Sequence, residues 1–170
     1  MADPANGASI WLSSWGGGLI HVTNNQITEV FDGNNSDLEL SNGATFVHGL
    51  CFDKDQNLWI VNSNTSKALK VRTSKNEWLE FSLNPYSNGS TLSSLAIDSN
   101  GYKWLLMPRN NGILVFNDNG TLNDPSDDQV KSLNINLGTR VSSSVINCFA
   151  EDLNGDMCIG TDKGIKVFYN

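Results

Sequence analysis

Histidine and cysteine are scarce in this chain: two histidines and three cysteines in 170 residues. A zinc site would need more ligands, and the only histidines are His21 and His48. Cys51, Cys148 and Cys158 form no CxxC pair. Each cysteine falls on an apolar position of the pattern described below, so all three are expected as buried free thiols. Basic residues are also in the minority, and the formal net charge is −7. That excess of negative charge disfavours nucleic acid or an anionic membrane surface as a broad electrostatic partner. Lys67, Lys70 and Arg72 make a local basic spot, and their alternation with apolar residues predicts a strand that turns them to solvent. No apolar run approaches the length of a membrane span, so no membrane insertion is expected of this segment. Residues 1–9 lack the basic start and apolar core of a secretory signal. Either the chain is a piece of a longer polypeptide or it is not exported, and a shortened first repeat favours the piece.

Catalytic motifs are missing as well. There is no G-x-S-x-G, no HExxH and no evident Ser-His-Asp set. Gly16–Gly18 is followed by neither Lys-Ser/Thr nor a helical pattern, so it is not a phosphate loop. Helical periodicity is scarce. Apolar residues come in short runs bounded by Gly, Asn, Asp and Ser, as in a strand-and-turn protein.

What is present is repetition. Residues 51–61 (CFDKDQNLWIV), 96–106 (AIDSNGYKWLL) and 150–160 (AEDLNGDMCIG) share one build: an apolar run into Asp, a polar turn, and Trp or Cys six residues after the Asp. Asp53, Asp98 and Asp152 stand 45 and then 54 residues apart, and Trp11 lies 48 residues before Trp59. Repeats of this length with about four strands each read as propeller blades. The fold class expected is all-β: a partial β-propeller of about three to four blades of four-stranded antiparallel sheets, the fragment of a larger propeller. Strands A to D are expected at 46–52, 57–62, 67–72 and 77–81 in the second repeat, and at 93–97, 102–107, 112–116 and 129–133 in the third. The first has only B to D (9–13, 18–22, 27–31), and the last only A to C (145–150, 157–160, 164–169). Residues 1–8 are expected to be disordered or cloning-derived, and blades to span approximately 9–31, 46–81, 92–133 and 144–170. Open blade edges at both ends make a homodimer conceivable.

Within each A–B hairpin, Asp53, Asp98 and Asp152 are expected to accept backbone N–H bonds and hold the turn. Gly101 and Gly155 supply positive φ, and Asn57, a residue later in its own turn, is expected in a related role. Trp59 and Trp104 are expected to fill the space between neighbouring sheets. The recurring carboxylates are thereby explained by folding, which makes them poor catalytic candidates.

Residues 145–168 (VINCFAEDLNGDMCIGTDKGIKVF) resemble the two-component regulator propeller repeat, with Cys158 in place of its Trp. The second and third repeats match less fully. Residues 112–130 and 11–19 are similar to the propeller of PorZ-type components of the type IX secretion system. Together these resemblances run over nearly the whole chain from residue 9. They imply a non-catalytic module of an exported, Bacteroidetes-type protein, at the periplasm or cell surface. Its work would be binding a glycan or protein partner in secretion and cell-surface attachment. The PorZ-type likeness implies an anionic lipopolysaccharide sugar and a sortase as partners. The alternative implied is the ligand-sensing propeller of a hybrid histidine kinase.

Propellers bind mainly at one mouth, where the D–A and B–C loops gather. Those loops hold Trp15, Asn64, Tyr86, Arg109 and Asn110, with His48 on an innermost strand nearby. Aromatic rings beside amides and a guanidinium suit a sugar. The competing reading is that Trp15 and Tyr86 pack against neighbouring blades and that His48 is structural. A metal-dependent propeller lyase would need His48 at this mouth. No cofactor is required by any motif. Calcium is one option, in the loop Asp118–Asp128 or at Asp53/Asp55 and Asp152/Asn154/Asp156, where oxygen ligands are closely spaced.

Overall fold

Short apolar runs punctuated by aspartate-anchored turns fold as the repetition dictates. The structure, a computed structural model, describes residues 1–87, 89–108, 112–134 and 145–169. Within them there are fifteen strands and no helix. In chain order they are β1 (Ala2–Asp3), β2 (Asn6–Gly16), β3 (Gly18–Thr23), β4 (Gln26–Phe31), β5 (Thr45–Phe52), β6 (Leu58–Asn62), β7 (Leu69–Arg72) and β8 (Trp78–Phe81). Then come β9 (Leu95–Ile97), β10 (Lys103–Met107), β11 (Gly112–Asn117), β12 (Gln129–Asn134), β13 (Ile146–Glu151), β14 (Met157–Thr161) and β15 (Gly164–Phe168). All ladders between them are antiparallel. The protein is a partial β-propeller: β1–β4, β5–β8, β9–β12 and β13–β15 are successive blades.

The first blade departs from expectation. Residues 1–8, expected to lie outside the propeller, supply β1 and the start of β2, and β1 pairs with β2 where an A strand belongs. The Trp11 N–H donates to the Met1 carbonyl at 2.8 Å. Because β1 is so short, the far end of β2 keeps a free edge. The start of β5 takes it, pairing Trp15 with Phe46 and Gly16 with Thr45. The first two blades therefore share one continuous hydrogen-bonded path.

The A–B turns are tied as the sequence predicts, with one addition. Asp53 Oδ1 accepts the N–H groups of Asp55 (2.9 Å) and Asn57 (2.8 Å), and its Oδ2 accepts the indole N–H of Trp59 at 2.8 Å. Asp98 repeats this with Asn100, Tyr102 and the Trp104 indole, the last at 2.8 Å. Asp152 accepts from Asn154 and Asp156, but Cys158 offers its Oδ2 no indole. A fourth unit was not foreseen. Asp3 Oδ1 accepts the Ala5 N–H at 2.9 Å, and Oδ2 accepts the Trp11 indole at 3.3 Å. The left-handed residue of the second turn is Gln56 (φ 63), in register with Gly101 and Gly155, and not Asn57. Asn57 instead bonds Asp53 through Nδ2 and accepts the Ser74 N–H through Oδ1.

Packing follows strand alternation. On β6, Leu58 and Ile60 face the first blade while Trp59 and Val61 face the third. On β10, Leu105 and Met107 face back and Trp104 and Leu106 face forward. Each interface thus has its own core cluster built on one buried tryptophan, Trp11, Trp59 or Trp104, with Trp78 packed against the first. Two apolar faces stay uncovered. Ile10, Leu12, Ile27 and Val30 are exposed on the first blade, and Ile165 and Tyr169 on the last.

Two expectations fail for reasons of packing. Lys70 is fully buried, not turned to solvent. Its Nζ donates at 2.8 Å to Glu39 from the preceding interblade loop and at 2.8 Å to Glu80 on β8. The cysteines are free but not buried: Cys148 is exposed and Cys51 and Cys158 are half-buried. Cys158 lies on the uncovered face of the last blade, where a buried position would need a further neighbour.

Asp98→Ala removes two turn bonds and an indole bond, and should destabilise by about 1–2 kcal/mol in urea unfolding. Asp152→Ala, with no indole to release, should cost less. Equal losses would contradict the role given to the indole. A pH effect follows from Lys70. Burial alone would push the carboxyls of Glu39 and Glu80 up, but their hydrogen bonds and charge pairing, Lys70 in both cases and Lys67 also at Glu80, outweigh it and hold both below the usual glutamate range. Depressed folded-state values add stability above the ordinary pKa of about 4.3, lost as pH falls through the folded values. The melting temperature should therefore drop on acidification below that range, and the drop should shrink in Lys70→Met.

Candidate functional site

The pairing of β2 with β5 places three rings at one end of the strands. Trp15 ends β2, and Phe46 and His48 sit near the start of β5. The ring centroids of Trp15 and Phe46 are 4.9 Å apart, and those of Trp15 and His48 are 6.0 Å apart, nearly edge-on. Trp15 is 51% exposed, and His48 is exposed as well. Of the two readings kept open for Trp15, both describe a portion of it: one side rests on Phe46 and the other is free. Next to His48, a Cβ on Gly49 would stand 2.5 Å from the Ser93 carbonyl oxygen. Glycine here lets β5 approach the chain entering β9, which narrows the space between innermost strands.

The other predicted residues divide. Tyr86 is exposed in the loop after β8, and its N–H donates to the Leu83 carbonyl at 3.0 Å. Asn64 is half-buried with φ 62. Its side-chain Oδ1 accepts from Thr91 at 3.0 Å, and its N–H donates to the Ser90 carbonyl at 3.1 Å. Asn64 thus clamps the B–C loop to the D–A loop, and its amide oxygen already has a partner. Arg109 and Asn110 lie outside the described residues.

Sequence reading found no Ser-His-acid set, yet the structure assembles one on neighbouring strands of the first blade. Ser9 Oγ is 2.5 Å from His21 Nε2, and His21 Nδ1 is 3.1 Å from Glu29 Oε2. The imidazole also stacks on Trp11, with centroids 4.0 Å apart and planes 11° apart. The order of atoms is that of a serine hydrolase relay, but Ser9 is only 1% exposed. A nucleophile must meet a carbonyl carbon, and a buried hydroxyl cannot. The set is a polar tie across β2, β3 and β4. Spacing could not reveal it, because Glu29 reaches His21 only through the strand register.

Several of the calcium candidates are committed elsewhere, while Asp128 keeps a buried carboxylate oxygen without a partner among the described residues. Asp118 bonds Lys103, Asp124 bonds Ser126, and Asp127 bonds Thr121. Asp53 and Asp152 are occupied by their turns. Among the described residues, no group of three or more His, Cys, Asp or Glu side chains is placed to hold a metal.

A fluorophosphonate, which labels accessible activated serines, should leave Ser9 unmodified in the folded protein. Labelling abolished by His21→Ala would overturn the structural reading of this relay.

No protein-family model and no curated protein matches the chain. Solved structures do. PorZ, a surface component of the type IX secretion system of Porphyromonas gingivalis, is 25% identical; the match covers 99% of this chain and 24% of that one, with a TM-score of 0.86. Virginiamycin B lyase of Staphylococcus aureus is 16% identical, over 95% of this chain and 52% of that one, with a TM-score of 0.65. The extracellular domain of the hybrid two-component system BT3049 of B. thetaiotaomicron is 20% identical over 95% of this chain and 20% of that one, with a TM-score of 0.63. This chain spans about a quarter of the length of PorZ. Its structural neighbours thus include both groups that the repeat sequences resemble, PorZ and the Bacteroides two-component sensors, within a propeller fold that lyases share.

Proposed function

We propose that this chain is a non-catalytic recognition segment of an exported bacterial β-propeller, binding a glycan or protein partner in type IX secretion or cell-surface attachment. The observation that carries the reading is the likeness to PorZ, which extends over 99% of the chain at a TM-score of 0.86. The exposed Trp15 beside Phe46 and His48 is the surface for that recognition. An indole face stacks on sugar C–H groups, while the imidazole nitrogens bond hydroxyls. Tyr86, exposed in the loop after β8, is a further contributor in this proposal. A periplasmic or cell-surface location accompanies the reading, since PorZ is described as a bacterial surface component.

A second reading, the sensor propeller of a two-component system, is favoured by the likeness to the BT3049 extracellular domain. Both readings make the same surface a binding site and differ in what the rest of the polypeptide does. The lyase reading has a structural neighbour too. It would require a metal beside His48, and the described residues offer no set of ligands for one.

A glycan array that includes bacterial surface polysaccharides is the direct test. Saturable binding is expected, weakened at least tenfold in a Trp15→Ala/Tyr86→Ala double variant, about what two stacking contacts are worth. Binding indifferent to both rings would reject this surface, and lyase activity lost in His48→Ala would reject the non-catalytic reading.

A further inference from the structure

A wide cleft lies at the opposite ends of the strands from Trp15. It opens between the A–B turns of the second and third blades and encloses about 680 Å³. That is within the range of small-molecule sites, roughly 300–1,000 Å³. On its floor Lys103 and Asp118 form an ion pair, with Nζ 2.6 Å from Oδ1. Both residues are deeply buried, at 4% and 6% exposure, yet both line the cleft.

Repetition shows that the fold does not need this pair. Lys103 precedes Trp104 as Leu58 precedes Trp59 and Met157 precedes Cys158. Leu58 and Met157 are buried apolar residues that fill the same place in their interfaces. A buried ion pair in such a place is seldom the more stable choice, because both charges leave water. The corresponding cleft between the first two blades has Leu58 there and encloses only about 120 Å³. Lys103 does cap the Trp59 ring, 4.2 Å from its centroid. Arg72 caps Trp11 in a similar way, however, with no hydrogen-bonded carboxylate among the described residues. Ring capping alone therefore does not account for Asp118.

The pair leaves complementary groups unused. Lys103 Nζ and the Gly120 N–H both bond Oδ1 of Asp118, so Oδ2 remains as an acceptor. Nζ makes one hydrogen bond and retains further protons to donate. Above the floor stand Tyr102, Ile97 and Leu122 as apolar surface; Asn117 and Asn119 line it too, with their side-chain amides bonded to each other and, from Asn119, to the Asp127 carbonyl. Asp53 and Asp98 at the rim are engaged by their turns, and Lys54 and Asp55 line the cleft with opposite charges. Four carboxylates and two ammonium groups line the cleft, and the lone pairs of the two turn aspartates are already engaged. An anion would meet the rim carboxylates and a cation would meet the floor ammonium.

We propose that this cleft is a binding site for a neutral, hydroxyl-rich ligand, a saccharide whose adjacent hydroxyls bridge Asp118 Oδ2 and Lys103 Nζ while its C–H face lies on Tyr102. One hydroxyl donates to the carboxylate and its neighbour accepts from the ammonium, which a vicinal diol does without any change of protonation. The site is separate from the Trp15 surface and does not rest on the function proposed for it.

The test is titration of the isotope-labelled protein with galactose, mannose, N-acetylglucosamine and their β-linked disaccharides, read by amide chemical shifts. Saturable shifts are expected at Tyr102, Lys103, Asn117 and Asn119. The double variant Lys103→Met/Asp118→Asn removes both charges together, so neither is left buried alone, and Met is the residue of the sister blade. It should keep or raise the melting temperature and weaken binding by at least tenfold, about the value of two hydrogen bonds to charged groups. Tyr102→Ala should weaken binding as well, with the ion pair intact. No saturable shift with any of these sugars, shifts centred on Trp15 and His48, or equal affinity in the double variant would each overturn the proposal. Tighter binding of a lysine-rich peptide or of an acidic sugar at the same amides would overturn the assigned ligand class.

Discussion

The structure depends on a carboxylate that serves two scales at once. In the A–B turns of the second and third blades, one oxygen of the aspartate gathers the turn's own N–H groups, and the other holds an indole N–H on the adjacent strand. The first function is local and closes a hairpin. The second orients a large ring that is then buried against the next blade. A tryptophan placed between sheets brings apolar surface but also a donor that must be paired. Asp53 and Asp98 pair it without drawing the ring toward water. Because each blade buries little by itself, its stability comes from neighbours. The aspartate is where that dependence is built into a single repeat.

This coupling explains which regions of the fold were legible in the sequence. The aspartate-anchored turns and the runs between them are local, so fourteen of the strands lie where spacing predicts them. Asp3 escaped notice because its hairpin is longer: eight residues separate it from Trp11, against six elsewhere. Lys70 misled for a different reason. Alternation with apolar residues marks two faces of a strand, but it does not say that both are covered. Glu39, which answers the charge of Lys70, stands 31 residues away in a loop that no periodicity describes. Cys158, only half-buried in the column of Trp59 and Trp104, makes the complementary point. An apolar place in the repeat is buried only where another blade arrives to cover it.

The candidate sites were less legible, and unevenly so. Trp15 and His48 could be nominated because strand ends and loop content locate a mouth, and the β2–β5 pairing did bring them together. Asn64 looked like a ligand group because amides suit sugars, but an Asn with positive φ is equally a loop clamp, and its oxygen is taken. The cleft at Lys103 was missed because a lysine beside an aromatic in a strand reads as a solvated stem. A comparison down the repeat, Leu58 to Lys103 to Met157, contained the signal. It asks what one blade does differently at a place where the others agree.

That comparison changes where function should be sought in a chain of this kind. Residues that recur in every blade are held by folding, because the same turn and the same interface demand them each time. A departure within an otherwise uniform column has no such demand behind it. If it also costs stability, as a buried ion pair in an aliphatic column does, a compensating gain must come from outside the fold. Trp15 and Phe46 are departures in loops and strand ends, where variation is cheap and the inference correspondingly weaker. Lys103 with Asp118 is a departure in the middle of a packed interface, beside an enlarged cleft. A packed strand tolerates such a pair only at a cost, so its presence there says more about function than the loops that first drew attention.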